Sequence, residues 1–221
     1  MAEVAALKDL RARELLTLKE RVERRIKFKA APKSIRRIAG IDIVLTPAAA
    51  KIHVCASLLS YPKLVVLEEA IATDELDDAV LTELGNVSLV PLVLSVLKML
   101  KQKTDLIMIK ELSLREELIL ASYVGVIAGR PSIGVSDRSS NLKSLSKWEG
   151  VKRAGSIKIR GHKTRVGVIA GHLVTFKDAS ALVKACAKET RMPEPVRCAG
   201  SRVHAWEREW RRVNLEGKRR R

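Results

Sequence analysis

Apolar positions recur at helical spacing near the start of the chain, where Leu7, Leu10, Leu15, Leu16, Leu18 and Val22 fall on or near one face. This predicts a helix over residues 4–29, ended by Pro32, because proline disfavours helix in the residue before it. Three short apolar segments follow, RIAGIDIVL (37–45), AKIHVCASLL (50–59) and KLVVLEEAIA (63–72), parted by turn-like TPAA and SYPK. Segments of this length with such short connections predict a three-strand meander. Beyond an acidic stretch at 74–84, the pattern predicts a helix over 88–103, a strand over 105–110, a helix over 114–129 and a strand over 131–136. Gly129 and Pro131 end the second of these helices in the expected way. Residues 137–165 are basic and rich in Ser, Gly and Lys, which predicts an exposed loop or hairpin. A strand at 165–172 and helices at 178–190 and 195–214 complete the chain. The expected fold is α/β, a mixed sheet of an antiparallel meander plus parallel strands, flanked by helices. The expected division is a basic amino-terminal helix (1–35), one folded domain (36–214) and a basic tail (215–221).

Charge sharpens this picture. Of the 221 residues 42 are Lys or Arg and 25 are Asp or Glu, a net charge of +17. The excess is segregated. Residues 1–37 carry 12 basic against 5 acidic side chains, residues 38–135 carry 8 against 12, and residues 136–221 carry 22 against 8. A near-neutral centre with basic ends is the electrostatic footprint of a nucleic-acid binder. The residues expected to meet phosphate are Arg24, Arg25, Lys27, Lys29, Lys33, Arg36 and Arg37; Lys152, Arg153, Lys158, Arg160, His162, Lys163 and Arg165; and Arg208, Arg211, Arg212, Lys218, Arg219, Arg220 and Arg221. Trp148, Trp206 and Trp210 are placed among them, to stack on unpaired bases or riboses or to pack at the helix–sheet boundary. Asn86, Asn141, Asn214 and Gln102 are the only amides, a scarcity found in hyperthermophiles. Cys55, Cys186 and Cys198 are odd in number and widely spaced, as reduced thiols of a cytoplasmic protein would be. No apolar run suits a membrane span, and MAEVAALKDLRARELL is unlike a signal peptide. No His/Cys set has zinc-site spacing. His53 alternates with Ile52 and Val54 and reads as solvent-facing, and His204, near Arg202 and Trp206, has no partner set for metal ligation.

Several local patterns resemble the endonuclease V family, whose members cut nucleic acid near deaminated adenine (inosine). They are IAGIDIVL around Gly40 and Asp42, LLSYPKL with Tyr61 and Pro62, ASYVGVIAGRPSIGVS (121–136), AGHLVTFKDASALV (170–183) and RMPEPVRCAG (191–200). Their order and spacing match over about residues 36–204. The resemblance implies an RNase H-like fold and carboxylates gathered around Mg²⁺, a hard cation that takes oxygen ligands.

The ligand pattern departs from that family. Asp42 matches the carboxylate of the first strand. Lys110 stands where a second Asp is expected, SLVPLV replaces the segment carrying a Glu, Gly200 replaces a further ligand, and Asp137 stands where the family has a lysine. At about 4 Å and an effective dielectric of about 20, an ammonium and a divalent cation repel by roughly 8 kcal/mol before screening. Lys110 is therefore expected to pair with Asp42 within about 4 Å. Glu111, one residue on, is expected to face the opposite side of the sheet. Glu116 and Glu117 read as a solvated helix face. His172 matches a Gly-His of the family and fits a structural role and the phosphate path equally.

On these grounds the chain is expected to be a non-catalytic relict, with no metal and no cofactor. It would be an RNA-binding component of an archaeal ribosome, on the large subunit, among neighbouring ribosomal proteins and away from membranes. Two alternatives remain, a metal-dependent endonuclease acting at inosine in DNA or RNA, and a scaffold subunit docking a protein partner through the acidic segment.

Overall fold

The structure is a computed structural model that describes residues 17–77, 81–82, 85–112, 118–137, 142, 144–188 and 190–216. Strands β1 (Arg37–Thr46), β2 (Lys51–Ser60) and β3 (Val66–Glu75) form the expected meander. Helix α1 (Asn86–Met99), strand β4 (Leu106–Lys110), helix α2 (Leu120–Ala128) and strand β5 (Ser132–Ser136) follow. Then come β6 (Lys147–Trp148), β7 (Val151–Lys152), β8 (Ala154–Lys158), β9 (Arg165–His172), helix α3 (Phe176–Cys186) and helix α4 (Glu194–Arg211).

Seven strands make one mixed sheet in the order β3-β2-β1-β4-β5-β9-β8, with β6 and β7 paired separately. The three central strands, β1, β4 and β5, run parallel to one another, and the outer ones are antiparallel to their neighbours. Side chains alternate between the two faces of a strand. On β1 this sends Ala39, Ile41 and Ile43 into a core with α1 and α2. The other face of the sheet offers Ile38, Leu106, Met108, Ile133 and Val135 to α3 and the start of α4. Further along that face Cys55 meets Ala199 and Val203 of α4. The core is aliphatic, as a chain with 3% aromatic residues requires.

Three elements differ from expectation. The amino-terminal helix is seen only over residues 17–23, and the part expected at 4–16 lies outside the described residues. From residue 26 the chain runs without helix, because its backbone groups are taken elsewhere. The Lys27 carbonyl accepts from Leu173 N–H at 2.7 Å, and Ala31 N–H donates to Asp178 Oδ2 at 3.0 Å. Helix α2 is described only from Leu120, where Glu111 receives its first N–H groups. The basic stretch expected as a loop or hairpin contains β8, which joins the main sheet beside β9 through buried Ala154 and Ile157. Among the described residues no helix is long and apolar enough to cross a membrane.

Candidate active site and nucleic-acid interface

Strands β1 and β4 are in parallel register through Ile41 and Ile109. One step further along both strands lie Asp42 and Lys110, on the same face and a strand spacing apart. Lys110 Nζ donates to Asp42 Oδ2 at 3.3 Å, so the expected pairing is found. Asp42 Oδ1 accepts from Ile43 N–H at 2.8 Å. The aspartate is 3% exposed, whereas the lysine side chain keeps 29% of its surface. Burial pushes the Asp42 carboxyl above the usual carboxylate range, outweighing the opposing pull of the Lys110 and His204 charges.

Helix α4 closes this face. It crosses Gly40 at Pro195, and a Cβ on Gly200 would stand 2.6 Å from Asp42 Oδ2. His204 follows Gly200 by four residues, one turn on, which brings its imidazole toward Asp42. Sequence reasoning named His204 without relating it to Asp42, although its spacing from Gly200 was a usable signal. Glu111 turns to the other face as alternation requires. Its Oε2 accepts from Leu120 N–H at 2.9 Å and its Oε1 from Ala121 N–H at 3.0 Å, which caps α2. Glu116 and Glu117 lie outside the described residues.

A divalent cation does not fit beside Asp42 in this arrangement. The free face of its carboxylate is taken by an ammonium group, and Gly200 supplies no donor. Among the described residues no group of three or more His, Cys, Asp and Glu side chains is arranged to hold a metal ion.

The basic residues divide by position. The β8–β9 hairpin places Lys158, Arg160, Lys163 and Arg165 at the surface, with His162 partly covered. Ser136 pairs with Gly167 and Lys110 with Val135, so this hairpin projects from the same end of the sheet as Lys110. Helix α4 runs past Asp42 to the end of β1, where Thr46 Oγ1 donates to Glu207 Oε1 at 3.1 Å. It thereby carries exposed Arg208, Arg211 and Arg212 toward the same end. Arg211 is paired with Glu207, and Arg212 with Glu209 at 2.6 Å. The amino-terminal run docks at the other end, where Lys27 N–H donates to His172 Nδ1 at 3.3 Å and His172 is level with Ser132. Arg24, Arg25, Lys27, Lys29, Lys33 and Arg36 are exposed there, while Arg37 is half-buried and donates to Gln102. Lys152 is exposed and lies 4.9 Å from the centre of the Phe176 ring. Lys218, Arg219, Arg220 and Arg221 lie outside the described residues.

Arg153 is a correction. It is fully buried, its Nε donates to the Leu145 carbonyl at 3.2 Å, and its guanidinium lies over Trp148 at 5.0 Å. It therefore has no surface to offer a phosphate. His53 is a second correction. It is fully buried, with Nδ1 2.8 Å from Thr73 Oγ1 and its ring 5.4 Å from Trp210, because 18-residue α4 reaches far enough to cover it. Trp206 donates to the same Thr73 at 3.2 Å, so all three tryptophans have packing partners. His172 takes the structural role at its Nδ1, and burial with Lys27 and Lys29 nearby pushes it down to about 4. The three thiols are free, and burial pushes Cys55 and Cys186 up to about 12.

Comparison with known proteins gives these positions a context. The family model described as Endonuclease V matches residues 17–201. The chain is 26% identical over 185 residues to Endonuclease V of Gloeobacter violaceus, covering 76% of this chain and 75% of that protein. The crystal structure of Endonuclease V from Streptomyces avermitilis superposes with a TM-score of 0.74 at 21% identity, covering 89% of this chain and 93% of that one. Endonuclease V of Ciona intestinalis, solved with a 24mer DNA containing an inosine followed by a ribo-adenosine, superposes at 0.75 with 18% identity, covering 91% and 99%. These matches establish the expected fold. They also overturn the expectation of a non-catalytic ribosomal component. The relatives are named as endonucleases, none of those named here is a ribosomal protein, and the endonuclease alternative is the reading they support.

Proposed function

This chain belongs to the endonuclease V family, and from that membership we propose that it is an endonuclease acting on nucleic acid at deaminated adenine, in DNA or RNA. The family match over residues 17–201 carries the proposal. The site supports it, because Asp42 is buried at the carboxyl end of the central parallel strands, where open α/β sheets place their ligands.

Asp42 holds the Lys110 ammonium at this centre, where its charge draws electrons from a phosphate and opens the phosphorus to an attacking water. The water oxygen bonds to phosphorus as the phosphorus–oxygen bond of the strand breaks, and the water's proton passes to the departing sugar oxygen. Lys158, Arg160, Lys163 and Arg165 hold the strand through its phosphates, an attraction largely blind to sequence. Arg208, Arg211 and Arg212 extend the same charge along α4. A cytoplasmic location belongs to this proposal and accords with three free thiols.

The test is direct. End-labelled DNA and RNA strands with one inosine, and matched strands with adenine, are incubated with the pure chain in Mg²⁺, in Mn²⁺ and in EDTA. A single cut in the inosine strands, with the adenine strands intact, is the expected result. Uncut inosine strands under all three conditions would overturn the proposal.

A further inference from the structure

The reaction centre presents a positive charge of its own. Lys110 Nζ is held by Asp42 Oδ2 at 3.3 Å, yet the lysine side chain keeps 29% of its surface while the aspartate is almost wholly buried. An ammonium has three donors. One is spent on Asp42, and the exposed side of the group leaves donors free to turn outward. The carboxylate orients the amine and is itself shut away beneath α4, with Gly200 packed against it. The half that faces a ligand is therefore the cationic half.

The surroundings are predominantly basic: Glu69 and Glu207 on this face are paired with Arg202 and Arg211, and Asp137 follows Ser136 at this end of the sheet. The basic β8–β9 hairpin projects from this end of the sheet, and α4 brings Arg208 toward it. Glu111, the nearest acidic residue along the chain, points to the opposite face and is held by the amino end of α2. A group entering here meets a fixed cation anchored from behind, which suits a phosphate oxygen.

We infer that the Lys110 ammonium, anchored by Asp42, occupies the position of a bound cation and directly contacts a backbone phosphate of the nucleic acid, so that the strand is gripped at this centre without a divalent ion. The inference rests on the reading that the chain acts on nucleic acid, and it deepens that reading by assigning the phosphate contact. Lysine binds phosphate as a point charge, with less demand on geometry than arginine. The contact contributes to affinity whatever base lies next to that phosphate.

The experiment is fluorescence anisotropy of a labelled single strand carrying one inosine, titrated with the full chain across a range of salt, in EDTA and in Mg²⁺. The wild-type chain is expected to bind about equally in the two. Lys110→Met is expected to weaken binding about fivefold or more and to lower the slope of log affinity against log salt by about one. Lys110→Arg, which keeps the charge, is expected to restore most of the affinity, and it guards against a Met variant that folds poorly. Asp42→Asn frees the ammonium and is expected to tighten binding. A metal-centred grip predicts the reverse, with Asp42→Asn weakening binding in Mg²⁺ and Lys110→Met leaving it unchanged or tightening it. That pattern would overturn the inference, as would a saturable Mn²⁺ signal by electron paramagnetic resonance that disappears in Asp42→Asn. Cleavage plays no part in this readout, so a chain that binds through Lys110 without cutting would sink the proposed reaction and leave the inference standing. Failure of the wild-type chain to bind the strand at all would remove both.

Discussion

Gly40 of β1 and Pro195 of α4 meet backbone to backbone, and a Cβ built on Gly40 would stand 1.9 Å from the Pro195 carbonyl carbon. Helix α4 can settle onto the sheet only because nothing projects there, and that seating brings Gly200 and His204 to Asp42. Gly40→Ala forces helix and strand apart along their contact. We expect a loss of about 3 kcal/mol or more in urea unfolding, at the upper end for an overpacked site. A melt matching wild type would show that α4 is not seated by this contact.

Glu111 stabilises the fold from the opposite face. Its carboxylate accepts from two N–H groups at the start of α2. Glu111→Ala leaves those donors without their acceptor and is expected to cost about 1–3 kcal/mol. Glu111→Gln keeps one strong acceptor and should cost less. Equal stability of the two variants would argue against a capping role.

His172 makes the protein sensitive to acid. Burial and the nearby Lys27 and Lys29 charges hold it neutral down to about pH 4, below its ordinary value of 6.5. The unfolded chain therefore takes up a proton before the folded one. The stability from this depressed value is complete above about pH 6.5 and is lost as pH falls toward 4. His172→Asn, which keeps an acceptor near the Nδ1 position, should flatten that part of a thermal-melting profile against pH. An unchanged slope would place the sensitivity elsewhere.

Asp42 behaves in the opposite sense. Its folded-state value is raised despite the lysine beside it, so its ionised form costs the folded state stability. The cost is absent below its unfolded value and complete above its folded one. Asp42→Asn should therefore melt at a higher temperature than wild type at pH 7, and the advantage should shrink as the pH is lowered. A lower melting temperature at pH 7 would mean that the Lys110 pair stabilises more than burial costs.

Much of this arrangement was legible because strand periodicity is strict. Asp42 and Lys110 end neighbouring parallel strands at matched positions, which forces them together, and the same alternation sends Glu111 away. Motif order alone was enough to show the family. What escaped depended on long-range packing. His53 looked solvent-facing because its strand alternates, yet α4 is long enough to bury it under Trp210. Arg153 carried the same charge as its exposed neighbours, and only tertiary contact with Leu145 and Trp148 shows that it points inward. Strand β8 has too few apolar residues to stand out before β9 is known to lie beside it. The expectation of a non-catalytic protein came from the replaced ligand positions and is overturned by the family match, and that of a ribosomal one failed for a different reason. Net charge reports an affinity for polyanions and is silent on which nucleic acid is bound or what is done to it.

The proposed reaction is cleavage of nucleic acid at deaminated adenine through the site around Asp42. The decisive measurement is single-turnover cleavage of an inosine-containing strand by wild type and by Asp42→Ala, purified in parallel and shown to be equally folded. A measurable rate is expected for wild type and a loss of about 100-fold or more for the variant. An inert wild type, or a variant that cuts as fast, would contradict it.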